Sequence, residues 1–340
     1  MAAIFKRAMI QLLFSPARVL IRHLPLGAVY HLGRAGGRLL CAISPERRAL
    51  MEQELRAAFP GRGPREYRRL VRASFANYGV SEIEVLLYPA LNRRLMERLV
   101  TIEGKEHLDA ALAAGRGVLL FQAHFGAFQM VMPAIGYGGY RMNQISASAA
   151  LWKDSGVSDA PERMHAIKAS YEERLPVRHI SIASSMRPVF RALERNEIVG
   201  ITVDGGGGRK TVGLPFLGRS ANFQTGAPDL ALRTGAAIVP AFIVCEAGLR
   251  HRLTIHPPLH ADPAAGRDEN RVAILREFTS LLERYVHSHP DHYGYTLCLR
   301  RLRARIDEYP FFEDYATTGG PATGLPTPGG RNACAHETRP

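Results

Sequence analysis

The sequence predicts an α/β protein with a central mixed, largely parallel sheet flanked by helices, preceded by N-terminal amphipathic helices. Segments of helical periodicity alternate with short apolar runs of strand length through the middle and later chain. Gly115 and Gly235 each end a helical segment just before such an apolar run. A length of 340 residues, 46% of them hydrophobic, is enough to bury a sizeable core.

Residues 1–44 interleave apolar residues with arginines, and we interpret them as a membrane-interface helical segment. No stretch in it reaches the roughly 18 uncharged apolar residues that a spanning helix needs. It also lacks the compact apolar run and cleavage site of a secretory signal. The alternative interpretation, amphipathic helices packed on the core, stays open at this stage.

Residues 45–315 are predicted to form the main domain, and residues 316–340, rich in Gly, Pro, Thr and Ala, a disordered tail. The domain begins with helices between Pro45 and Pro89, interrupted at Pro60-Gly61. The later elements follow in this order: helix HLDAALAAG, strand GVLLFQA, helix SMRPVFRALERN, strand EIVGITVD, helix APDLALRTG, strand AAIVPAFIV, strand LTIHPPL and helix NRVAILREFTSLLERYVHSHP.

The charge of the chain points to an anionic partner. Lys and Arg number 44 against 31 Asp and Glu, a net charge of +13, which suits a phospholipid surface, an acidic carrier protein or a nucleic acid. Nucleic acid is excluded as the expected partner because no nucleic-acid-binding motif occurs. The 4 cysteines are far apart, form no CxxC pair and have no metal-ligand spacing, so we expect reduced thiols and no metal site.

Three stretches stand where strands are predicted to end, the position at which α/β proteins place their sites. They are AHFGAFQM, VDGGGGRKTVGLPFLGR and TGAPDLALRTGAAIVPAF. The glycine run is not a Walker A motif, because Arg209 rather than glycine precedes Lys210. The sequence has no GxSxG elbow, which argues against an α/β-hydrolase.

These blocks, in this order and spacing, resemble the bacterial lipid A biosynthesis acyltransferases, which include lauroyl and myristoyl transferases and phosphatidylinositol-mannoside acyltransferases. This family lies within the wider lysophospholipid acyltransferase-like group. The resemblance runs from about residue 10 to residue 305. ERRALMEQELRAAFPG resembles the pre-catalytic region. PDHYGYTLCLRR resembles a C-terminal aromatic pair, with Tyr293 and Tyr295 where tryptophans are commoner.

The resemblance implies an enzyme that moves a fatty acyl chain from an acyl carrier protein or coenzyme A thioester to a hydroxyl of a (glyco)lipid acceptor. It implies a peripheral or monotopic protein at the cytoplasmic face of the bacterial inner membrane, in contact with anionic lipids. The thioester is a substrate, so no cofactor is expected. Two other hypotheses stay open: a degenerate member that binds lipid or a partner without turnover, and a thioesterase that uses the same site.

In the resembling family a histidine is followed, five residues on, by Asp or Glu, and the matching positions here are His124 and Gln129. The histidine would act as general base on the acceptor hydroxyl. Gln129 can orient the ring but brings no negative charge. Asp204 ends a strand predicted to lie near that of His124, and neighbouring strands are only about 5 Å apart, so it is a candidate substitute acid. Alternatively, Asp204 caps the following turn.

Three basic residues of the second block are candidate ligands for an anionic headgroup or a phosphopantetheine phosphate. The residues are Arg209, Lys210 and Arg219. For Arg209 and Lys210 the alternative is a solvated turn.

Overall fold

A computed structural model of the protein describes residues 21–146, 162–181, 185–205, 210–246, 248–304 and 310–318. The described helices are α1 Leu26–Ile43, α2 Pro45–Ala58, α3 Pro64–Leu87, α4 Arg93–Leu99, α5 Lys105–Ala113, α6 Val131–Tyr137, α7 Glu162–Glu172, α8 Arg187–Glu194, α9 Gly226–Thr234, α10 Arg267–Ser288 and α11 Gly294–Arg303. The described strands are β1 Val100–Glu103, β2 Val118–Gln122, β3 Met142–Ser146, β4 Val177–Ser181, β5 Ile198–Thr202, β6 Thr211–Phe216, β7 Arg219–Gln224, β8 Ala237–Cys245 and β9 His251–Ile255.

Seven of these strands form one sheet in the order β1-β9-β8-β2-β5-β3-β4. Every neighbouring pair in it is parallel except β8 and β9, which are antiparallel. The strands β6 and β7 form a separate antiparallel hairpin. The predicted fold class, a mixed and largely parallel sheet flanked by helices, is therefore confirmed.

Both faces of the sheet are covered by helices. Alternate residues of β2 belong to two different buried clusters: Leu119 and Phe121 to one, Val118 and Leu120 to the other. Successive side chains of a strand point to opposite faces, so a strand between two apolar layers must be apolar throughout. All five residues of β2 are buried, which explains the unbroken apolar run in its sequence.

The helices and strands predicted from periodicity are present, and the glycine stops are where they were expected. Gly115 and Gly235 both have positive φ, at 74° and 69°, a conformation that glycine adopts without strain. The sequence analysis did not predict the strands β1, β3 and β4, the β6–β7 hairpin, or the helices α4, α6, α7 and α11. The hairpin turns at Leu217-Gly218, both with positive φ, and Leu217 is a residue that gives no turn signal in the sequence.

The helix α1 packs directly on α3 through small residues. A Cβ placed on Gly37 would lie 2.1 Å from the backbone oxygen of Phe75, and one on Gly79 would lie 2.2 Å from that of Gly33. Part of the predicted membrane-interface segment thus packs on the core, which was the alternative interpretation. Residues 1–20 of that segment lie outside the described residues. Within the described residues, no helix is both long and apolar enough to cross a membrane.

The outer side of α1 nevertheless keeps an apolar stripe. Its large hydrophobic residues Leu32, Leu39 and Ile43 are 47%, 48% and 39% exposed. At the other end of the chain, Phe311 and Phe312 are buried, and Phe312 forms a bridge with Ala221 of β7. Most of the predicted tail, residues 319–340, lies outside the described residues.

Candidate active site

The register of two parallel strands brings His124 and Asp204 together. Gln122 at the end of β2 is paired with Thr202 at the end of β5. Each chain then continues for two residues beyond that pair, one to His124 and the other to Asp204. Since neighbouring strands lie about 5 Å apart, residues at equal distance past the same edge come within hydrogen-bond reach.

Asp204 holds both the ring and the backbone of His124. The ring Nδ1 lies 2.8 Å from Asp204 Oδ1. The backbone N–H of His124 donates to both carboxylate oxygens at 3.0 Å. The carboxylate is fully buried and makes three contacts with the histidine, so it does not serve as a simple cap of the following turn.

Further contacts to His124 and Asp204 come from one face of α11. The hydroxyl of Tyr293, the residue just before this helix, donates to Asp204 Oδ2 at 2.9 Å. Thr296 Oγ1 donates to the backbone oxygen of His124 at 2.6 Å. Arg300 donates to the backbone oxygen of Asp204 and has its guanidinium 3.3 Å from His124 Nδ1. The three residues are spaced i, i+3 and i+7, so they share one side of the helix.

The surroundings keep the carboxylate of Asp204 ionised. Burial alone would raise its pKa, but the charge and hydrogen bonds of His124 and the charge of Arg300 outweigh burial and hold the pKa below its usual value. Burial and the neighbouring carboxylate raise the pKa of Tyr293 well above its usual value, so this tyrosine stays a hydrogen-bond donor. A buried, ionised carboxylate thus lies beside the imidazole.

The loop that carries His124 is held in a sharp turn at Gly126. Gly126 has φ 59°, and a Cβ there would lie 2.0 Å from the backbone oxygen of Ile243 in β8. Its N–H donates to the backbone oxygen of His292 at 3.1 Å. Only glycine therefore fits between the backbone at Ile243 and the backbone at His292. The turn fixes the direction in which the His124 ring points.

The imidazole has one bound nitrogen and one available nitrogen. The side chain of His124 is 29% exposed, and the ring of Phe128 lies edge-on at 5.0 Å between centroids. Nε2 makes no hydrogen bond to any described residue. With Nδ1–H directed at Asp204, Nε2 carries the free lone pair and can accept a proton from a substrate hydroxyl.

Gln129 does not occupy the place of the orienting acid. It lies in a short 3-10 turn, Phe128–Met130, and its backbone oxygen accepts from the Tyr88 hydroxyl at 2.7 Å. Its side-chain oxygen Oε1 is buried without a hydrogen-bond partner in the described part of the chain, and it makes no bond to His124. The expectation that Gln129 orients the ring through its amide is therefore not met by this geometry.

The structure differs in what it shows for the three predicted anion ligands. Arg219 is bound internally: its guanidinium contacts Glu54 at 2.7 Å and Asp314 at 2.6 Å, and it stacks 3.8 Å above the ring centroid of Phe312. Two carboxylates already neutralise it, so the geometry favours a structural role over anion binding. Lys210 is exposed, and Arg209 lies outside the described residues.

The sequence did not single out Thr296 or Arg300, and it noted Tyr293 only as an aromatic match. The available signal was the spacing of Tyr293, Thr296 and Arg300 on a helix that ends in arginines, one of which is buried to 7% exposure. A buried arginine requires a partner, and that requirement could have linked this helix to the site.

A second cluster of buried polar side chains contains His251, Glu84 and Tyr30. His251 Nε2 contacts Glu84 Oε1 at 2.5 Å, and the Tyr30 hydroxyl donates to the same oxygen at 2.9 Å. Burial alone would lower the pKa of His251, but the carboxylate of Glu84 and the adjacent thiol of Cys245 raise it to about 10. The cluster is thus a charged pair inside the core, joining α1, α3 and β9.

Comparison with known proteins finds relatives that are named acyltransferases. The phosphatidylinositol mannoside acyltransferase of Mycobacterium tuberculosis is 30% identical over 177 residues, 50% of this chain and 53% of that protein. The Mycolicibacterium smegmatis protein of the same name is 30% identical over 243 residues, 64% of this chain and 76% of that protein. The alignment thus spans only about half the length of the Mycobacterium tuberculosis relative.

Among solved structures, the 1-acyl-sn-glycerophosphate acyltransferase of Thermotoga maritima matches with a TM-score of 0.35 and 15% identity, covering 78% of this chain and 97% of that one. A TM-score of 0.35 does not support a family assignment. The family model for bacterial lipid A biosynthesis acyltransferases, in contrast, matches residues 5–304. This range includes both His124 and Asp204 and nearly all of the described fold. The chain belongs to the bacterial lipid A biosynthesis acyltransferase family.

Proposed function

We propose that this protein is a lipid acyltransferase that moves a fatty acyl chain from a thioester donor to a hydroxyl of a membrane lipid. The observation that carries the proposal is the 2.8 Å contact between His124 Nδ1 and the buried carboxylate of Asp204, with Nε2 left available. A histidine oriented by an ionised carboxylate is the usual arrangement for activating a hydroxyl nucleophile.

In the proposed reaction, Nε2 of His124 accepts the proton of the acceptor hydroxyl as the oxygen attacks the thioester carbonyl carbon. The new C–O bond gives a tetrahedral intermediate, with negative charge on the former carbonyl oxygen. As the intermediate collapses, the C–S bond breaks and the leaving sulfur takes the proton from the imidazolium. The products are an ester and a free thiol, and His124 returns to its neutral form.

Asp204 has two roles in this scheme. It fixes the tautomer with the proton on Nδ1, and its charge stabilises the imidazolium that forms during attack. The backbone N–H of His124, the hydroxyl of Tyr293 and the guanidinium of Arg300 hold the carboxylate in position from three directions. Asp204 therefore takes the role that the family resemblance assigned to the position of Gln129.

We further propose a (glyco)lipid hydroxyl as the acceptor and an acyl carrier protein or coenzyme A thioester as the donor. Two relatives named phosphatidylinositol mannoside acyltransferases support a glycolipid acceptor. The net charge of +13 supports an acidic carrier protein or the phosphates of coenzyme A. We place the protein as a peripheral enzyme at the cytoplasmic face of the inner membrane, where such substrates meet.

The test is to incubate the purified protein with acyl-carrier-protein and acyl-coenzyme A thioesters, with and without lipid acceptor. Thiol release is followed by a chromogenic reagent and the lipid products by mass spectrometry. Thiol release that requires acceptor and yields an acylated lipid supports the proposal. Release without acceptor indicates a thioesterase. Absence of release with every donor, while lipid still binds, indicates a non-catalytic family member.

A further inference from the structure

The first half of α3 carries four arginines on one exposed side: Arg65, Arg68, Arg69 and Arg72. Their spacing of i, i+3, i+4 and i+7 places them on one helix face, where they line an open depression. None of them forms an ion pair with another described residue. We call this set the arginine row.

The arginine row is unfavourable for the isolated helix. Like charges at i, i+3 and i, i+4 repel one another, and the helix dipole also disfavours the cation of Arg65 in the first turn of α3. Glutamates of the same helix do not compensate, since each contacts another residue: Glu66 contacts Arg62, Glu82 contacts Lys168 and Glu84 contacts His251. A local arrangement with this penalty and no internal partner is typical of a binding surface.

The arginine row lies on the same side of α3 as the residues that α1 covers, in the next turns along the helix. Gly33 of α1 packs against Gly79 and Ile83, and Gly37 packs against Phe75 and Ala76, so the two helices run antiparallel. The end of α1 is therefore level with Arg72, whose charge acts on Cys41 near that end. Beyond this point the same side of α3 is uncovered and consists of arginines.

The apolar stripe of α1 faces away from α3. Gly33, Gly37 and Cys41 are buried, whereas Leu32, Leu39 and Ile43 lie on the opposite side and are exposed. Packed helix axes are about 8–10 Å apart. Along the direction from α3 to α1, the stripe therefore lies roughly one helix diameter beyond the arginine row. Interfacial helices insert their apolar side about 5–10 Å below the headgroups, which is a similar distance.

We propose that the arginine row and the apolar stripe of α1 together form the docking surface for an anionic phospholipid bilayer. The stripe enters the acyl boundary while the row stays level with the lipid phosphates, which the guanidinium fork binds in bidentate fashion. This inference rests on the proposed function, because the lipid acceptor lies in that bilayer. The exposed leucines and isoleucine beside the row favour a bilayer over an acidic protein as its partner.

The test uses the full chain and measures sedimentation with vesicles, without any acyl substrate. The vesicles contain phosphatidylcholine alone or phosphatidylcholine with phosphatidylglycerol. The variant R65Q/R68Q/R69Q/R72Q is compared with R191Q/R267Q/R276Q/R284Q, which removes the same charge from exposed positions on α8 and α10. Row substitution should weaken binding to anionic vesicles by roughly several hundredfold, since each of the four basic residues near such a surface contributes about fivefold.

The control variant should keep nearly wild-type binding, and the row variant should have an equal or higher Tm because repulsion within α3 is relieved. His124→Ala should bind vesicles like wild type, so a failure of the docking proposal is distinguishable from a failure of the catalytic one. Equal weakening in both arginine variants would show a general charge effect and overturn the proposal. Unchanged vesicle binding by the row variant, with lost affinity for an acidic acyl carrier protein, would overturn it in favour of a protein partner.

Discussion

The imidazole of His124 and the carboxylate of Asp204 are 2.8 Å apart although 80 residues separate them in the chain. The carboxylate is fully buried, whereas the ring is partly open to solvent, so the pair has a fixed side and a reactive side. Such asymmetry suits a general base, because orientation and charge come from within the protein while the free nitrogen stays available to a substrate hydroxyl.

Replacing His124 by alanine should abolish acyl transfer and leave the fold intact. The ring is partly exposed, and without it Asp204 keeps the backbone N–H of residue 124, the Tyr293 hydroxyl and Arg300, so the Tm should fall by no more than a few degrees. The measurements are thiol release and the thermal unfolding curve of the same preparation. Activity equal to wild type would remove His124 from the proposed mechanism.

Substitutions at Asp204 and Gln129 should have unequal effects. Asp204→Asn removes the negative charge beside the ring and should lower kcat by about 10²–10⁴, since the corresponding change in a serine-protease triad costs about 10⁴.

Gln129→Ala should change kcat by less than about threefold, since the amide makes no bond to His124 among the described residues. Steady-state kinetics of both variants over a range of pH decide between the two partners. A large loss in Gln129→Ala with little effect of Asp204→Asn would reverse the assignment.

Arg300 should act as a positioning residue for the catalytic pair. It contacts the backbone oxygen of Asp204 and lies 3.3 Å from His124 Nδ1. Arg300→Met should lower kcat roughly tenfold or more with KM little changed, because the acceptor and donor do not contact it in this scheme. Tyr293→Phe should show the same kcat-specific pattern to a smaller extent. An increase confined to KM would instead place Arg300 in substrate binding.

Arg219 should matter for stability rather than for substrate affinity. Its guanidinium is paired with Glu54 and Asp314, and its removal leaves the carboxylate of Glu54, whose side chain is 3% exposed, with the Tyr315 hydroxyl and with Arg301 at 3.9 Å. Leaving a buried charge fully unpaired typically costs about 3–5 kcal/mol, so Arg219→Gln should reduce the free energy of unfolding by a part of that amount. Urea unfolding and KM for the donor are measured together. An unchanged stability with a raised KM would restore the anion-binding role.

The pair of Glu84 and His251 should make the stability of the protein depend on pH. The folded-state pKa of His251 is about 10, above the usual value of about 6.5 in an unfolded chain. Its contribution is therefore complete below about pH 6.5 and is lost as pH rises toward 10. Between pH 6.5 and 9, wild type should lose more than about 1 kcal/mol relative to the double variant Glu84→Gln/His251→Gln, because one pKa unit is worth about 1.4 kcal/mol.

The free energy of unfolding in urea at the two pH values checks this expectation. Because the thiol of Cys245 adjoins His251, the same measurement on Cys245→Ser separates its contribution. Parallel pH dependence in wild type and the double variant would show that the pair is not charged in the folded protein.

The sequence by itself determined the elements whose periodicity is strong. The strand β2 is apolar throughout because both its faces are covered, and α5 and α9 end at glycines with positive φ. These are local consequences of burial and backbone geometry, so they can be predicted without the fold. The short edge strands β1 and β4 and the β6–β7 hairpin lack such a signal, because their residues are only partly buried and their pairing partners are distant in the chain.

The sequence also identified His124 and Asp204 as candidates, each at the end of a predicted strand. It could not decide between Asp204 and Gln129, because adjacency of β2 and β5 is a property of sheet order rather than of either strand. Only the tertiary structure placed Arg300 beside the pair and Arg219 away from it, since a side chain's partners depend on which distant elements pack against its helix or strand. Local pattern therefore indicated the candidate reactive residues, and long-range packing decided which of them meet.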